Sequence, residues 1–237
     1  MTITYHDLAG ADERLRFSPY CWRVRLALAH KGLVADALPW RFTDKEAIAF
    51  SGQERVPVLV DGRHVVADSF EIARYLDSAY PDRPGLFGGP QAEAQAGFLR
   101  FWCEQALQPA LVRLVIPYVH ACIAERDRAY FRASREARFG RPLEQIAVAP
   151  ADGIAELRRT LLPLRATLER QPWLAGSAPA FVDYMVFGHF QFVRLVTPFE
   201  VVEPTDPVHA WQERLLDAYD GLARSAWRVP AACEAPA

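Results

Sequence analysis

Three short stretches carry side chains able to do chemistry. Ser18-Pro19-Tyr20-Cys21 puts a hydroxyl and a thiol at the start of a helical pattern. A helix start exposes unpaired N–H groups and the positive end of the dipole, so it holds anions. A hydroxyl there donates to a thiolate and favours its ionised form, each pKa unit of depression being worth about 1.4 kcal/mol. The same four residues also read as nothing more than a capped helix start. Arg55-Val56-Pro57-Val58 opens a strand, a place where proline is ordinary. Asp68-Ser69-Phe70-Glu71 sets Asp at the N-cap and Glu at N3, a capping box at a second helix start.

Other chemistries find no support. The G-x-G-x-x-G, P-loop, H-E-x-x-H, G-x-S-x-G and paired C-x-x-C patterns are missing from the sequence. The six histidines are scattered, and the four cysteines (Cys21, Cys103, Cys122, Cys233) lack zinc-ligand spacing. No metal site is expected.

The elements that position these residues alternate in type over the first eighty positions. Ile3-Thr4-Tyr5 reads as a strand. Ser18 to Lys31 reads as a helix with Pro19 at its first position, His30 and Lys31 in its last turn and Gly32 as its stop. Cys21, Val24 and Leu28 share one face, which points Cys21 inward. A weak strand surrounds Leu38. Val56 to Val60 and His64 to Val66 form a hairpin about Asp61-Gly62. A helix then runs from Asp68 to Pro81. Six of the ten residues from Pro81 to Pro90 are Pro or Gly, which marks a linker.

Everything beyond reads as helical. One long helix covers Gln91 to about Val119, interrupted at Pro109 and Pro117. Arg126 to Arg138 is an arginine-rich, exposed segment. Ile154 to Arg170, Val182 to Val196 and Val208 to about Leu222 follow, and the tail PAACEAPA reads as mobile.

Composition narrows the setting. Of 237 residues, 51% are hydrophobic and 24% charged, enough for a core without disulfide or metal staples. The net charge of −2 is evenly spread, ten basic against eleven acidic residues up to position 81, so nucleic acid is not an expected partner. MTITYHDLAG has no basic n-region or apolar run, and no stretch has the length of a membrane span. A cytoplasmic protein without membrane partners is expected.

In this order and on these elements, the three stretches resemble the cytosolic glutathione transferases. SPYC stands where glutaredoxins carry C-P-Y-C, with Ser18 in place of the nucleophilic cysteine. RVPVLVDG and VVADSFEIARYLDSAYPD are similar to the family's glutathione-binding half. PWLAGSAPAFVDYMVFG is similar to the motif that caps the central helix of its second domain. The resemblance spans about residues 1 to 222. SPYCWRVRLALAHKGL, FTDKEAIAFSGQERVPVLVDG and RDRAYFRASREARFG are further similar to bacterial β-aryl-etherase-like transferases and their fungal relatives.

The resemblance implies an α/β plus all-α fold: a thioredoxin-like glutathione-binding domain at 1–81, a linker at 82–90 and an all-helical domain at 91–237. It implies that Ser18 stabilises the glutathione thiolate. Val56, ahead of a cis bond to Pro57, would pair with the cysteinyl backbone of glutathione. Asp68 and Ser69 would take the γ-glutamyl end, and one of Lys45, Gln53 or Arg55 the glycyl carboxylate. Trp22, Trp102, Tyr118, Tyr130 and Phe131 become candidates for a second pocket holding a hydrophobic, aromatic electrophile, although each equally suits a core.

The implied reaction is thiolate attack on that electrophile, of the detoxification type, or the narrower cleavage of a β-aryl ether, in a homodimer. A glutathione-dependent thiol–disulfide reductase is the alternative, but it needs a cysteine at Ser18 or an exposed, low-pKa Cys21. A non-catalytic binding scaffold is the third reading. Ala180, where the family carries Ser or Thr three residues before Asp183, lacks the hydroxyl half of a capping box, a loss of about 0.5 to 2 kcal/mol.

Overall fold

A computed structural model describes residues 2–230. Cys233 and the tail from 231 onward lie outside the described residues.

The N-terminal half is a four-stranded mixed sheet with helices against it. Strands β1 (Ile3–Leu8), β2 (Ala35–Trp40), β3 (Val58–Asp61) and β4 (His64–Ala67) lie in the order β2-β1-β3-β4. β1 runs parallel to β2, pairing Tyr5 with Ala37, and antiparallel to β3, pairing Tyr5 with Leu59. The parallel pair needs a crossover, which α1 (Pro19–His30) supplies. The β3–β4 hairpin turns one residue later than Asp-Gly suggests. Asp61 pairs with His64, so Gly62-Arg63 is the turn, with Gly62 at φ 60°.

Helix α2 (Ser69–Ala79) packs on α1 and closes the thioredoxin-like unit. Lys31 does not project from the last turn of α1 as a solvated charge. Its buried ammonium pairs with Asp77 at 2.8 Å and donates to the carbonyls of Tyr80 and Pro84. Asp77 also accepts from the backbone N–H groups of Leu86 and Phe87, both buried. The Pro/Gly stretch is therefore anchored despite its composition.

The second half is helical: α3 (Pro90–Trp102), α4 (Gln108–Cys122), α5 (Glu125–Phe139), α6 (Leu143–Ile146), α7 (Pro150–Thr160), α8 (Leu162–Leu168), α9 (Phe181–Val196) and α10 (Pro207–Gly221). The long helix expected from Gln91 is interrupted by a π turn, Cys103–Leu107, just before Pro109. Proline's ring excludes the carbonyl four residues back, and the wider turn accommodates it. Pro117 stays within α4. The carbonyl of Arg113, four residues earlier, accepts from the N–H of Val148 instead. The helix expected over 154–170 splits at Leu161, two residues before Pro163. α10 loses helical geometry at Ala218, and Tyr219 and Asp220 sit in the left-handed region.

α9 is buried on nearly every side and runs through the centre. Its packing on α1 is close because Gly188 has no side chain. A Cβ there would come within 2.4 Å of the Pro19 carbonyl oxygen. Ala180 supplies no capping hydroxyl at the start of α9. The buried carboxylate of Asp183 caps from the other side, accepting from the N–H groups of Ala180 (3.1 Å), Leu174 (2.8 Å) and Ala175 (3.3 Å) and the indole of Trp211 (2.8 Å). The N–H of Asp183, which a capping hydroxyl would have taken, is bonded to the Ala180 carbonyl at 2.9 Å instead.

Candidate active site

Ser18 is the N-cap of α1, and its Oγ accepts from the N–H of Cys21 at 3.3 Å. Pro19 at N1 has no N–H to satisfy, which favours the start of the helix there. The hydroxyl is nearly buried yet lines a cleft of about 700 Å³ between the sheet unit and the helices. Val56, Pro57, Asp68 and Ser69 line the same cleft, as do Lys45, Gln53 and Arg55. The polar residues nominated from the sequence thus converge on one place. The Val56-Pro57 bond is cis, and Val56 precedes the paired residues of β3.

Asp68 caps α2 in a conformation sequence reading did not anticipate, with φ at 73°. One carboxylate oxygen accepts from the N–H groups of Phe70 (2.9 Å) and Glu71 (3.3 Å). The capping box is one-sided, because Glu71 turns away to Arg74 at 3.1 Å. The other Asp68 oxygen pairs with Arg100 of α3 at 3.0 Å, and Arg100 also reaches Glu104 at 3.1 Å. Arg100 and Glu104 were missed from the sequence. Their i, i+4 spacing shows they pair, but nothing local shows that Asp68 joins them.

Beneath this cluster lies Arg23, fully buried. It donates to the Ser69 hydroxyl at 3.4 Å, and its guanidinium covers the ring of Tyr20 at 4.5 Å. Its Nε and Nη2 have no hydrogen-bond partner among the described residues. Burial lowers its pKa, and burial together with the Arg23 charge pushes His189 down to about 3. Tyr20 donates to Gln108 at 2.8 Å, tying the start of α1 to α4.

Of the aromatics nominated for a second pocket, Tyr130 and Phe131 line the cleft and three others do not. Trp22 is turned into the core, donating its indole N–H to the Arg16 carbonyl at 2.7 Å. Trp102 packs half-buried against the core at the end of α3. Tyr118 leans edge-on against Phe199 at 5.6 Å. Trp40, Phe42 and Phe192 take their place, with an apolar wall from Val112, Ile116 and Val119 of α4. α5 is also not simply exposed: Asp127 and Phe131 are buried, and Ser134, Arg135 and Arg138 face the cleft.

Among the described residues no cysteine lines this cleft. Burial and the neighbouring Asp7 charge raise Cys21 well above the ordinary thiol range, and burial pushes Cys103 up to about 12. Among the described residues no cluster of His, Cys, Asp or Glu is able to hold a metal ion, and no helix is long and apolar enough to cross a membrane.

Known proteins share this architecture. A glutathione S-transferase of Ceriporiopsis subvermispora, solved in complex with glutathione, superposes with a TM-score of 0.82 at 24% identity, covering 98% of this chain and all of that one. Glutathione transferase GSTFuA3 of Phanerochaete chrysosporium gives 0.75 at 26%, covering 93% of this chain and 92% of its own. Among curated sequences, the glutathione S-transferase-like protein ustS of Aspergillus flavus is 28% identical over 176 residues, 68% of this chain. Glutathione S-transferase Z1 of Arabidopsis thaliana is 38% identical over 88 residues, 32% of this chain. These matches span 58% and 39% of the two relatives. The glutathione S-transferase N-terminal domain model matches residues 17–79 and the C-terminal domain model residues 94–219, together most of the chain on both sides of the cleft. This chain belongs to the glutathione S-transferase family.

Proposed function

We propose that the chain is a transferase that binds glutathione along the sheet side of the cleft and uses it to attack an aromatic electrophile held by the helices. The observation that carries this reading is the shared lining of one cleft by the Ser18 hydroxyl, the Val56-Pro57 corner and the Asp68-Ser69 helix start. The first 81 residues then serve glutathione, and the helices from 91 onward serve its partner.

In this reading the glutathione sulfur lies at the N-terminus of α1, where the dipole and the Ser18 hydroxyl favour the thiolate. Its γ-glutamyl carboxylate meets Ser69 and the start of α2. Its ammonium meets Asp68 and Glu104, shared with Arg100. Lys45, Gln53 and Arg55 lie on the side where the glycyl carboxylate would end. The thiolate then forms a C–S bond as the leaving group departs with its electron pair, and rate comes from ionisation and alignment. The narrower form is cleavage of a β-aryl ether, in which the broken bond is C–O and a phenolate leaves. Aromatic side chains around the second half of the cleft support it.

The reductase alternative loses ground, because Cys21 is buried with its pKa raised. We place the protein in the cytoplasm as a homodimer. Exposed Phe98 (78%) and Phe101 (60%) on α3 support the dimer, and sedimentation of the wild type against Phe98→Asp tests it.

The deciding experiment pairs calorimetry with glutathione and conjugation of 1-chloro-2,4-dinitrobenzene by wild type and Ser18→Ala. The expected result is binding by both proteins, with kcat at least tenfold lower in the variant. Full activity in Ser18→Ala overturns the role of Ser18, and absence of glutathione binding by the wild type leaves the scaffold reading.

A further inference from the structure

Helix α5 carries five arginines, and they divide by direction. Arg126 pairs with Asp44 at 2.7 Å, Arg128 with Glu125 at 2.5 Å, and Arg132 with both Glu136 and Glu144. Arg135 and Arg138, which line the cleft, form no ion pair among the described residues. Lys45, across the cleft, is also without a carboxylate partner and donates to the Glu54 carbonyl at 2.5 Å. Among the described residues three carboxylates line the cleft: Asp68 and Glu104 are held by Arg100, and Glu54 pairs with none of these cations.

These cations are interleaved with rings. Arg135 lies over Phe131 at 4.4 Å and over Phe42 at 5.4 Å, and Lys45 lies over Tyr130 at 4.9 Å and Trp40 at 5.2 Å. Arg135 spends one donor on the Ser134 hydroxyl at 2.8 Å. Arg135 is half-buried, and burial with the like charges of Arg138 and Arg55 pushes it down to about 10. A half-buried guanidinium is costly without a carboxylate, and its planar fork of donors matches one in two-point geometry. The rings beside it offer flat faces for an aromatic substrate.

We propose that the second substrate is an aromatic acid, a planar ring bearing a carboxylate or comparable anion, with the ring against Phe42 and Tyr130 and the anion on Arg135 and Arg138. This rests on the transferase reading and adds a substrate class to it. Lys45 and Arg55 remain for the glycyl carboxylate of glutathione.

The test compares two matched electrophiles, 4-chloro-3,5-dinitrobenzoate and its neutral amide. In each the thiolate forms the C–S bond and chloride leaves. The wild type is expected to favour the benzoate about tenfold or more in kcat/KM, through KM, since a charge-assisted pair in a partly desolvated site is worth that much. Arg135→Gln abolishes the preference, and Arg135→Lys, which keeps charge without the fork, retains part of it. Equal use of the two electrophiles by the wild type overturns the proposal. So does a loss in Arg135→Gln that is equal for both, or one that appears in the KM for glutathione.

A binding arm needs no turnover. Tryptophan fluorescence titration with 1-anilinonaphthalene-8-sulfonate and with neutral N-phenyl-1-naphthylamine is expected to show the anionic probe binding tighter, with the advantage lost in Arg135→Gln. An unchanged ratio overturns the proposal. If glutathione fails to bind but the probe preference holds, the transferase reading fails while the anion site stands.

Discussion

Thr43 gives both its backbone N–H and its hydroxyl to one carboxylate oxygen of Asp127, at 3.0 and 2.6 Å. Thr43 follows β2 and Asp127 lies in the first turn of α5, so this contact fixes the Trp40–Lys45 loop against the helix that carries Tyr130 and Arg135. Both faces of the second half of the cleft depend on it.

Replacing Asp127 with Ala is expected to cost about 2 kcal/mol, because it removes the acceptor of two donors at once. Urea denaturation measures the loss. Thr43→Val with Asp127→Ala completes a cycle whose coupling is expected near 1 kcal/mol, and a coupling of zero shows that the pair carries no stability. KM for the electrophile is expected to rise in Asp127→Ala more than KM for glutathione, since α5 lines the side of the cleft proposed for the electrophile.

Gly188 governs the other approach. Ala at this position drives its Cβ against the Pro19 carbonyl oxygen, and backbone on both sides leaves little room to yield. Gly188→Ala is expected to destabilise by about 1–3 kcal/mol and to lower conjugation beyond what unfolding explains, because the displaced turn is the one that holds Ser18. Thermal melting together with activity measured well below the transition checks both parts.

How much of this was legible beforehand depends on how local each cause is. The Ser18 cap, Pro19 at N1 and the Asp68 cap follow from short-range bonding and were readable. The cis Val56-Pro57 bond was readable only through resemblance. The positive φ of Asp68 was not, because its neighbours do not demand it. Trp22 takes the core alternative, which the sequence left open because aromatic character does not say which side of α1 faces the cleft. Arg135 looked like a solvated charge until α5 was placed beside Phe42, while Arg138 stays exposed at the edge of the cleft. Arg100 reaches Asp68 across 32 positions, a distance no local pattern spans.

Cys21 and Cys103 are expected to resist modification in the native state. Both are buried with raised pKa values, so at pH 8 they are neutral thiols shielded from reagent. Iodoacetamide labelling followed by peptide mass mapping is expected to leave both untouched until denaturant is added. Rapid native labelling of Cys21 restores the reductase reading.

His189 makes a prediction about acid. Its Nδ1 donates to the Met185 carbonyl at 3.0 Å, and its buried ring meets Tyr20 edge-on at 6.0 Å. Burial and the Arg23 charge hold its folded pKa at about 3, against 6.5 for the free side chain. Between those values the unfolded chain binds a proton that the folded chain refuses, so stability rises with pH across that window. The contribution is fully present above about pH 6.5 and is lost as pH falls toward 3. The slope from this one group is about 1 kcal/mol per pH unit. Burial raises the Asp7 and Asp183 carboxyls, which gives slopes of the opposite sign, so the wild type alone does not isolate the histidine. His189→Asn keeps a donor toward the Met185 carbonyl and removes the titration. Chemical denaturation at pH 4.5, 5.5 and 6.5 is therefore expected to show the wild type losing about 1 kcal/mol more per unit than the variant. Parallel stability curves for the two proteins mean that His189 takes up its proton in the folded state, where Arg23 must then tolerate a second buried cation.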